Sequence, residues 1–215
     1  ISERALYRKT EVAAVTNAKS LIDALELDVD AHSNGETIMA HTPKHAASFV
    51  GDCDIIARDY GISPIIHSQG ELDVLGMNGA FHGGMTIPIG FALNPRKYAV
   101  GLLSAAMAHG AKVFCQSPVA QIRPNGDGYI LQTPRGNIRA KRFIIATNAY
   151  SSETLIPWMR ARFMPVQSSV IVTEPLNQDA INAQGWTSEQ MAYDTRFLLH
   201  YFRKMPDGRF LFGLR

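Results

Sequence analysis

The chain has 215 residues, 46% of them hydrophobic and 19% charged, and a net charge of +2. That length admits one large domain or two small ones, and the apolar share suits a packed core and not a disordered chain. So small a charge excludes an electrostatic footprint for nucleic acid or an anionic membrane, and no apolar run reaches the roughly 18 residues of a membrane helix.

Cys53 and Cys115 are far apart and read as reduced, buried thiols, one in a helix and one in a strand. With Ile1-Ser2-Glu3-Arg4 showing no secretory pattern, the expected compartment is the cytoplasm.

Residues 3–27 carry one helical pattern, with Ala14, Ala18, Leu21, Ile22 and Leu25 on one side. Residues 37–40 read as a short strand. Thr42 then caps a helix with Pro43 at its first position, Ala46, Val50, Cys53, Ala57 and Tyr60 as its apolar stripe, and Gly61 as its stop. Ile65-Ile66 and residues 72–75 are short apolar segments. The glycine cluster of residues 76–84 reads as a loop, because no strand-to-helix context surrounds it. Residues 85–92 form an extended return.

Residues 92–150 have the order of a dinucleotide-binding half. Asn94 caps a helix over residues 95–109, Pro95 opens it and Gly110 ends it, with Val100, Leu103 and Met107 on the apolar face. Residues 113–115 read as a buried strand. Residues 119–122, 129–133 and 138–140 form a polar meander turning at Asn125-Gly126 and Pro134-Arg135-Gly136. The run Phe143-Ile144-Ile145-Ala146 is apolar on successive residues, which suits a parallel strand covered on both faces and sharing a sheet with residues 113–115. Thr147-Asn148-Ala149 follows at its carboxyl end, where open α/β sheets bind ligands.

Farther on, residues 151–155 suit a short helix, residues 166–173 a strand, and residues 176–190 a loop with a helical turn. Residues 197–203 and 209–212 form a hairpin around Met205-Pro206-Asp207-Gly208. Two-residue alternation puts Phe197, Leu199, Tyr201 and Arg203 on one face of the first strand and Leu198, His200 and Phe202 on the other.

Several of these pieces carry a resemblance: Leu93-Asn94-Pro95 with its helix, Gly110-Ala111-Lys112-Val113, Ser117-Pro118-Val119 and Ile145-Ala146-Thr147-Asn148-Ala149-Tyr150. So do Met164-Pro165, Thr173-Glu174-Pro175-Leu176, Tyr201-Phe202-Arg203 and the run from Asp207 to Gly213. In order and spacing, residues 81–213 resemble the FAD-dependent amine and amino-acid oxidases related to D-amino-acid oxidase, glycine oxidase and sarcosine oxidase, and most of all the γ-glutamylputrescine oxidase type. The first 80 residues match loosely.

The resemblance implies an α/β fold, α+β overall. A partial Rossmann-like FAD-binding lobe (residues 92–150) would interrupt a substrate lobe (residues 1–91 and 151–215) with a mixed or antiparallel sheet and flanking helices. It implies FAD as cofactor, a small-molecule amine or amino acid as substrate, and hydride transfer from the carbon beside the amine. Val119 would meet the adenine through its backbone, and Thr147, Asn148 and Ala149 would approach the pyrophosphate or ribityl chain. Asn148 stands where the family often has glycine, and asparagine tolerates the left-handed conformation such a place needs. Tyr201 and Arg203 would face substrate, the guanidinium binding a carboxylate in bidentate fashion. A solvated rim is the competing place for Arg203.

One departure is large. The family's G-x-G-x-x-G turn is absent, and the lone G-x-G, Gly126-Asp127-Gly128, lies in a hairpin loop with no helix behind it. The chain therefore reads as the middle of a longer oxidase, inactive by itself, holding FAD weakly or not at all and able to self-associate through uncovered surfaces. The alternatives are a non-catalytic interaction domain and a flavin dehydrogenase of the glycerol-phosphate type. No hydrolase or paired-cysteine motif occurs, and His41 and His45 lie on opposite sides of a helix cap, so no metal site is expected.

Overall fold

The computed structural model of the protein describes residues 3–214; Ile1 and Ser2, with which the amino-terminal reading begins, and Arg215 lie outside the described residues. Two compact units form, one of residues 1–106 with 168–215 and one of residues 107–167. The helices are α1 (Glu3–Ala24), α2 (Pro43–Tyr60), α3 (Gln69–Val74), α4 (Pro95–Ala108) and α5 (Gln178–Gln184). The strands are β1 (Glu36–Met39), β2 (Ile65–His67), β3 (Gly84–Ile87), β4 (Gln121–Asn125), β5 (Gly128–Thr133), β6 (Gly136–Ala140), β7 (Ser169–Val172), β8 (Met191–Asp194), β9 (His200–Lys204) and β10 (Phe210–Leu214).

The first unit is built on a seven-stranded sheet in the order β2-β3-β1-β8-β9-β10-β7. Its neighbours pair antiparallel except β1 and β8, which run parallel with Glu36 opposite Met191 and Ile38 opposite Tyr193. On one face, Met39, Ala192 and Phe202 pack with Leu72 of α3, Met77 and Trp186; the Trp186 ring meets Phe202 edge-on at 5.0 Å. On the other, α2 lays Phe49 and Ala46 over Met85, Ile38 and Ile87. That helix covers the β1–β3 side of the face, and β8, β9 and β10 continue beyond it.

Local chemistry explains most of the boundaries. Thr42 accepts the His45 N–H, Pro43 opens α2, and Gly61 closes it at φ 69°. The buried stripe of α2 is rotated from the expected one: Phe49 and Ile56 pack inward, whereas Val50 and Ala57 are exposed, because both sets have helical spacing and the sheet selects the bulkier one. Likewise α1 turns Val12, Val15 and Ile22 inward and leaves Ala14 and Leu21 exposed. Residues 69–74, expected as part of a short apolar segment, form α3 because Ser68 and Glu71 make a capping box. Residues 178–184 form a full helix, not a single turn: Asn177 accepts the Ala180 N–H and Gly185 ends α5 at φ 73°.

The second unit contains the meander β4-β5-β6, antiparallel throughout as expected. Gly126 and Asp127 form its first turn, so the lone G-x-G is a hairpin loop and not a phosphate cradle. The expected buried strands at residues 113–115 and 143–146 are not strands: both segments are irregular, with Phe114 69% and Ile144 92% exposed. A strand needs a hydrogen-bonding neighbour, and among the described residues none lies beside either segment. Cys115, expected inside, is exposed for the same reason, while Cys53 is half-buried with its thiol 3.4 Å from the Met85 sulfur. On α4, Asn94 caps as expected, but Val100, Leu103 and Met107 are exposed. Residues 153–155 make a turn between two short 3-10 segments, where a helix was expected.

One buried charge ties the β8–β9 connection together. Asp194 is 1% exposed; its carboxylate accepts the backbone N–H groups of Arg196 (3.2 Å) and His200 (3.1 Å), pairs with the Arg196 guanidinium and lies 2.9 Å from His200 Nδ1. Burial would raise its pKa, but the N–H groups of His200 and Arg196 and the guanidinium outweigh burial and hold it below the usual 3.8. A depressed carboxyl stabilises the fold above its unfolded pKa and loses that contribution as pH falls through the folded value. Asp194→Asn is therefore expected to cost about 2 kcal/mol at neutral pH. In urea unfolding followed from neutral to acid pH, the gap to the parent should close below about 3.8.

Candidate functional site

Beyond the cover of α2, the open part of the sheet face forms a cavity of about 260 Å³ lined by Glu36, Met191, Tyr193, Tyr201, Arg203 and Leu211, among others. Alternation and register explain this set. Glu36 on β1, Met191 and Tyr193 on β8, Tyr201 and Arg203 on β9 and Leu211 on β10 all point to the same side of the sheet. Tyr193 stands opposite Tyr201, and Tyr201 opposite Gly213.

The Tyr201 ring lies across that glycine: a Cβ on Gly213 would sit 2.1 Å from the ring's Cζ. A glycine there gives the ring its floor, an arrangement known from aromatic partners of strand glycines. The Tyr201 hydroxyl is 2.9 Å from Ser168 Oγ, which fixes the other end of the side chain.

Glu36 and Arg203, the charged residues of this wall, form no ion pair among the described residues. Burial lifts the Glu36 carboxyl above its usual 4.5, and no cation among the described residues offsets it. Burial, and then the Glu36 charge, push the Tyr193 hydroxyl above its usual 10. Burial also lowers the Arg203 guanidinium from its ordinary value, though arginine stays a cation in proteins. The hydrogen bond recorded for Arg203 is a long one of 3.4 Å from Nη2 to the Leu93 carbonyl. His32 stands near Arg203 on a smaller adjoining cavity of about 110 Å³, and burial and then the Arg203 charge keep its pKa below 6.5.

Of the residues singled out from sequence, Tyr201 and Arg203 come together on this cavity wall, and Arg203 is half-buried there. Val119, Thr147, Asn148 and Ala149 lie in the unit of residues 107–167. Asn148 adopts φ 47°, the left-handed conformation foreseen for it, and begins a 3-10 turn in which Thr147 Oγ1 and Ser151 Oγ are 2.6 Å apart. Glu36 and Tyr193 were not foreseen as site residues. Glu36 opens a four-residue strand after a loop glycine, and β8 lies between the loop of residues 176–190 and the strand of residues 197–203, a stretch given no element from sequence, so nothing local marked either one.

Comparison with known proteins decides the family. The model of the FAD dependent oxidoreductase family matches residues 4–215. The chain belongs to that family. It is 34% identical over 123 residues to a probable oxidoreductase OrdL of Rhizobium meliloti, a match covering 57% of this chain and 28% of the relative. It is 30% identical over 133 residues to γ-glutamylputrescine oxidoreductase of Escherichia coli, covering 62% and 31%. Among solved structures, glycine oxidase from Bacillus cereus superposes with a TM-score of 0.77 at 15% identity, over 97% of this chain and 55% of that one. Glycine oxidase from Geobacillus kaustophilus gives 0.71 at 19% identity, over 100% and 56%. The chain thus spans about half the length of the solved oxidases whose fold it shares, and the family holds although the expected parallel strands of residues 113–115 and 143–146 are unpaired.

Two outcomes are expected from this geometry. A carboxyl whose folded pKa is raised destabilises the fold as pH rises from 4.5 through that value, so Glu36→Gln should stabilise the chain at neutral and alkaline pH and lose its advantage toward pH 4.5. Denaturant melts at several pH values measure this. Gly213→Ala must displace the Tyr201 ring, and should alter the near-ultraviolet dichroism of the tyrosines together with the loss of the Ser168 contact. An unchanged spectrum would contradict the packing of that ring.

Proposed function

We propose that this chain supplies the substrate-facing sheet of an FAD-dependent oxidase that breaks the C–N bond of an amine or amino acid. The observation that carries the reading is the placement of Tyr201 and Arg203 on one cavity wall of a sheet in a chain of this family. The names of its relatives agree: γ-glutamylputrescine and glycine are both amines with a carboxylate.

The residues of the second unit fit part of the cofactor. Val119 makes no backbone hydrogen bond among the described residues, which leaves its peptide N–H and C=O available to an adenine edge. The left-handed Asn148 turn, flanked by Thr147 and Ala149, lets the backbone come close to a phosphate or ribityl chain. The glycine-rich turn at a helix N-terminus that anchors pyrophosphate is not among residues 1–215. Residues 1–215 alone should therefore bind FAD weakly and turn over no substrate. Exposed Val113, Phe114, Ile144 and Ile145 are suited to further strands beside them, or to self-association where none is present.

When bound, the flavin would supply the hydride acceptor, and the protein's part is orientation and exclusion of water. Tyr193 and Tyr201 give an apolar wall that fixes the substrate's carbon chain. Arg203 holds a carboxylate in place with its planar fork, which limits rotation of the carbon beside the amine. With its pKa raised, the Tyr193 hydroxyl stays protonated and acts as a donor, not as a base.

The test is to produce the full-length flavoprotein that contains these residues and look for bound flavin absorbance and peroxide release with amines and amino acids. Arg203→Met is expected to weaken apparent affinity for carboxylate-bearing substrates roughly tenfold to a hundredfold while leaving simple amines little changed. A colourless protein that takes up no flavin would remove the reading.

A further inference from the structure

Charge is divided unevenly along the chain. Residues 107–167 hold eight arginines and lysines against two carboxylates, Asp127 and Glu153, a net charge of +6, while the rest of the chain carries −4. The net charge of +2 over the whole chain conceals this separation. Every ion pair among the described residues lies outside residues 107–167, so none of these eight cations has a carboxylate partner there. Six of the eight are arginines, whose planar fork matches a carboxylate.

The meander gathers part of this charge on one face. Its registers set Arg123 beside Ile130 and Ile130 beside Arg139, and two residues along the strands Gln121 beside Gln132 and Gln132 beside Asn137. The intervening row of Ile122, Leu131 and Ile138 points to the opposite side. The first face is thus polar apart from Ile130 and carries no aromatic ring, and Lys141 directly follows the strand that holds Arg139. Arg139 and Lys141 border a cavity of about 180 Å³, with Asp127 beside them but paired to neither.

The two edges of the meander differ. On β4, Pro124 has no N–H to offer an added strand, whereas β6 holds no proline and pairs on one side only, with β5. Cations on an edge keep neutral and basic strands from adding to it, and an acidic strand is the one they admit. Nucleic-acid bases find no ring to stack on here, and a bilayer finds no apolar side chain to take up, because Ile130 is half-buried between two arginines.

We infer that the free edge of β6 docks an extended acidic segment of a partner protein, which adds to the meander as a fourth strand. Backbone hydrogen bonds to β6 supply affinity, and side chains two residues apart supply selectivity: one carboxylate is held by the Arg139 guanidinium, and the next along the same face meets Lys141. This edge and the cavity of the seven-stranded sheet lie in different units, and either reading can fail without the other.

The test is fluorescence anisotropy of dye-labelled peptides added to the full-length flavoprotein. A peptide alternating glutamate and valine should bind roughly tenfold or more tighter than one alternating lysine and valine. N-methylation of its backbone on alternate residues should weaken it, since an added strand needs those donors. Arg139→Glu, and separately Lys141→Glu, should each weaken the acidic peptide and strengthen the lysine one, with unchanged far-ultraviolet dichroism showing that the variants are folded. An acidic peptide that fails to bind the parent, or binds equally well when N-methylated or to both folded variants, would overturn the inference. So would duplex DNA or phosphatidylglycerol vesicles that bind the parent more tightly than the peptide and lose affinity in Arg139→Glu, since the surface would then recognise phosphate.

Discussion

The parallel pairing of β1 with β8 is the contact on which the rest of the first unit depends. It joins segments about 155 residues apart in sequence, and it turns two antiparallel groups, β2-β3-β1 and β8-β9-β10-β7, into one sheet. The join is secured at its start by side chains: Ser33 Oγ donates to the Glu189 carbonyl and accepts the Met191 N–H, and Gln190 Nε2 donates to the carbonyls of Asn34 and Gly35. At its other end, Thr195 N–H donates to the Met39 carbonyl. Closing so long a loop is entropically costly, but the cost grows only logarithmically with length, and the shared core of Met39, Ala192 and Phe202 offsets it. This pairing also brings Glu36 beside Tyr193.

The two faces of that sheet are treated differently, and the difference makes the site. One face is closed by Leu72, Met77, Trp186 and their aromatic neighbours. The other is closed by α2 over β1 and β3, and stays open over β8, β9 and β10. A sheet face with tyrosines, a methionine and two unpaired charges is a poor surface to leave in water and a good one for a small polar ligand with a carbon chain. Burial leaves the Glu36 and Arg203 charges partly desolvated on that open face.

Residues 107–167 show the converse. The meander β4-β5-β6 forms because its strands are neighbours in sequence and turn at Gly126 and Gly136. Residues 113–115 and 143–146 have the composition of buried strands but no neighbour to bond with, and they remain irregular and exposed. Apolar composition states what a segment would gain from a sheet, not whether one is available. The family match nevertheless runs across them, over residues 4–215.

The sequence by itself determined the local punctuation: Thr42, Pro43 and Gly61 around α2, Asn94 and Gly110 around α4, and the turns of the meander and of the β9–β10 hairpin. Each of these rests on a side-chain hydrogen bond or a backbone preference within a few residues. It also held the capping box of Ser68 and Glu71 and the caps Asn177 and Gly185, signals that were legible although the helices they mark were not foreseen. Alternation placed Tyr201 and Arg203 together, since two residues apart on a strand means one face. Tertiary structure decided which of two helical stripes packs, Phe49 and Ile56 over Val50 and Ala57, because both fit the period and only the sheet's shape discriminates. It decided that Met191–Asp194 is a central strand, four residues whose only strong signal is the partner on either side. It alone put Glu36 and Arg203 on one sheet face with Met191 between them, because the two are brought together by a register between distant segments, and no spacing along the chain encodes that.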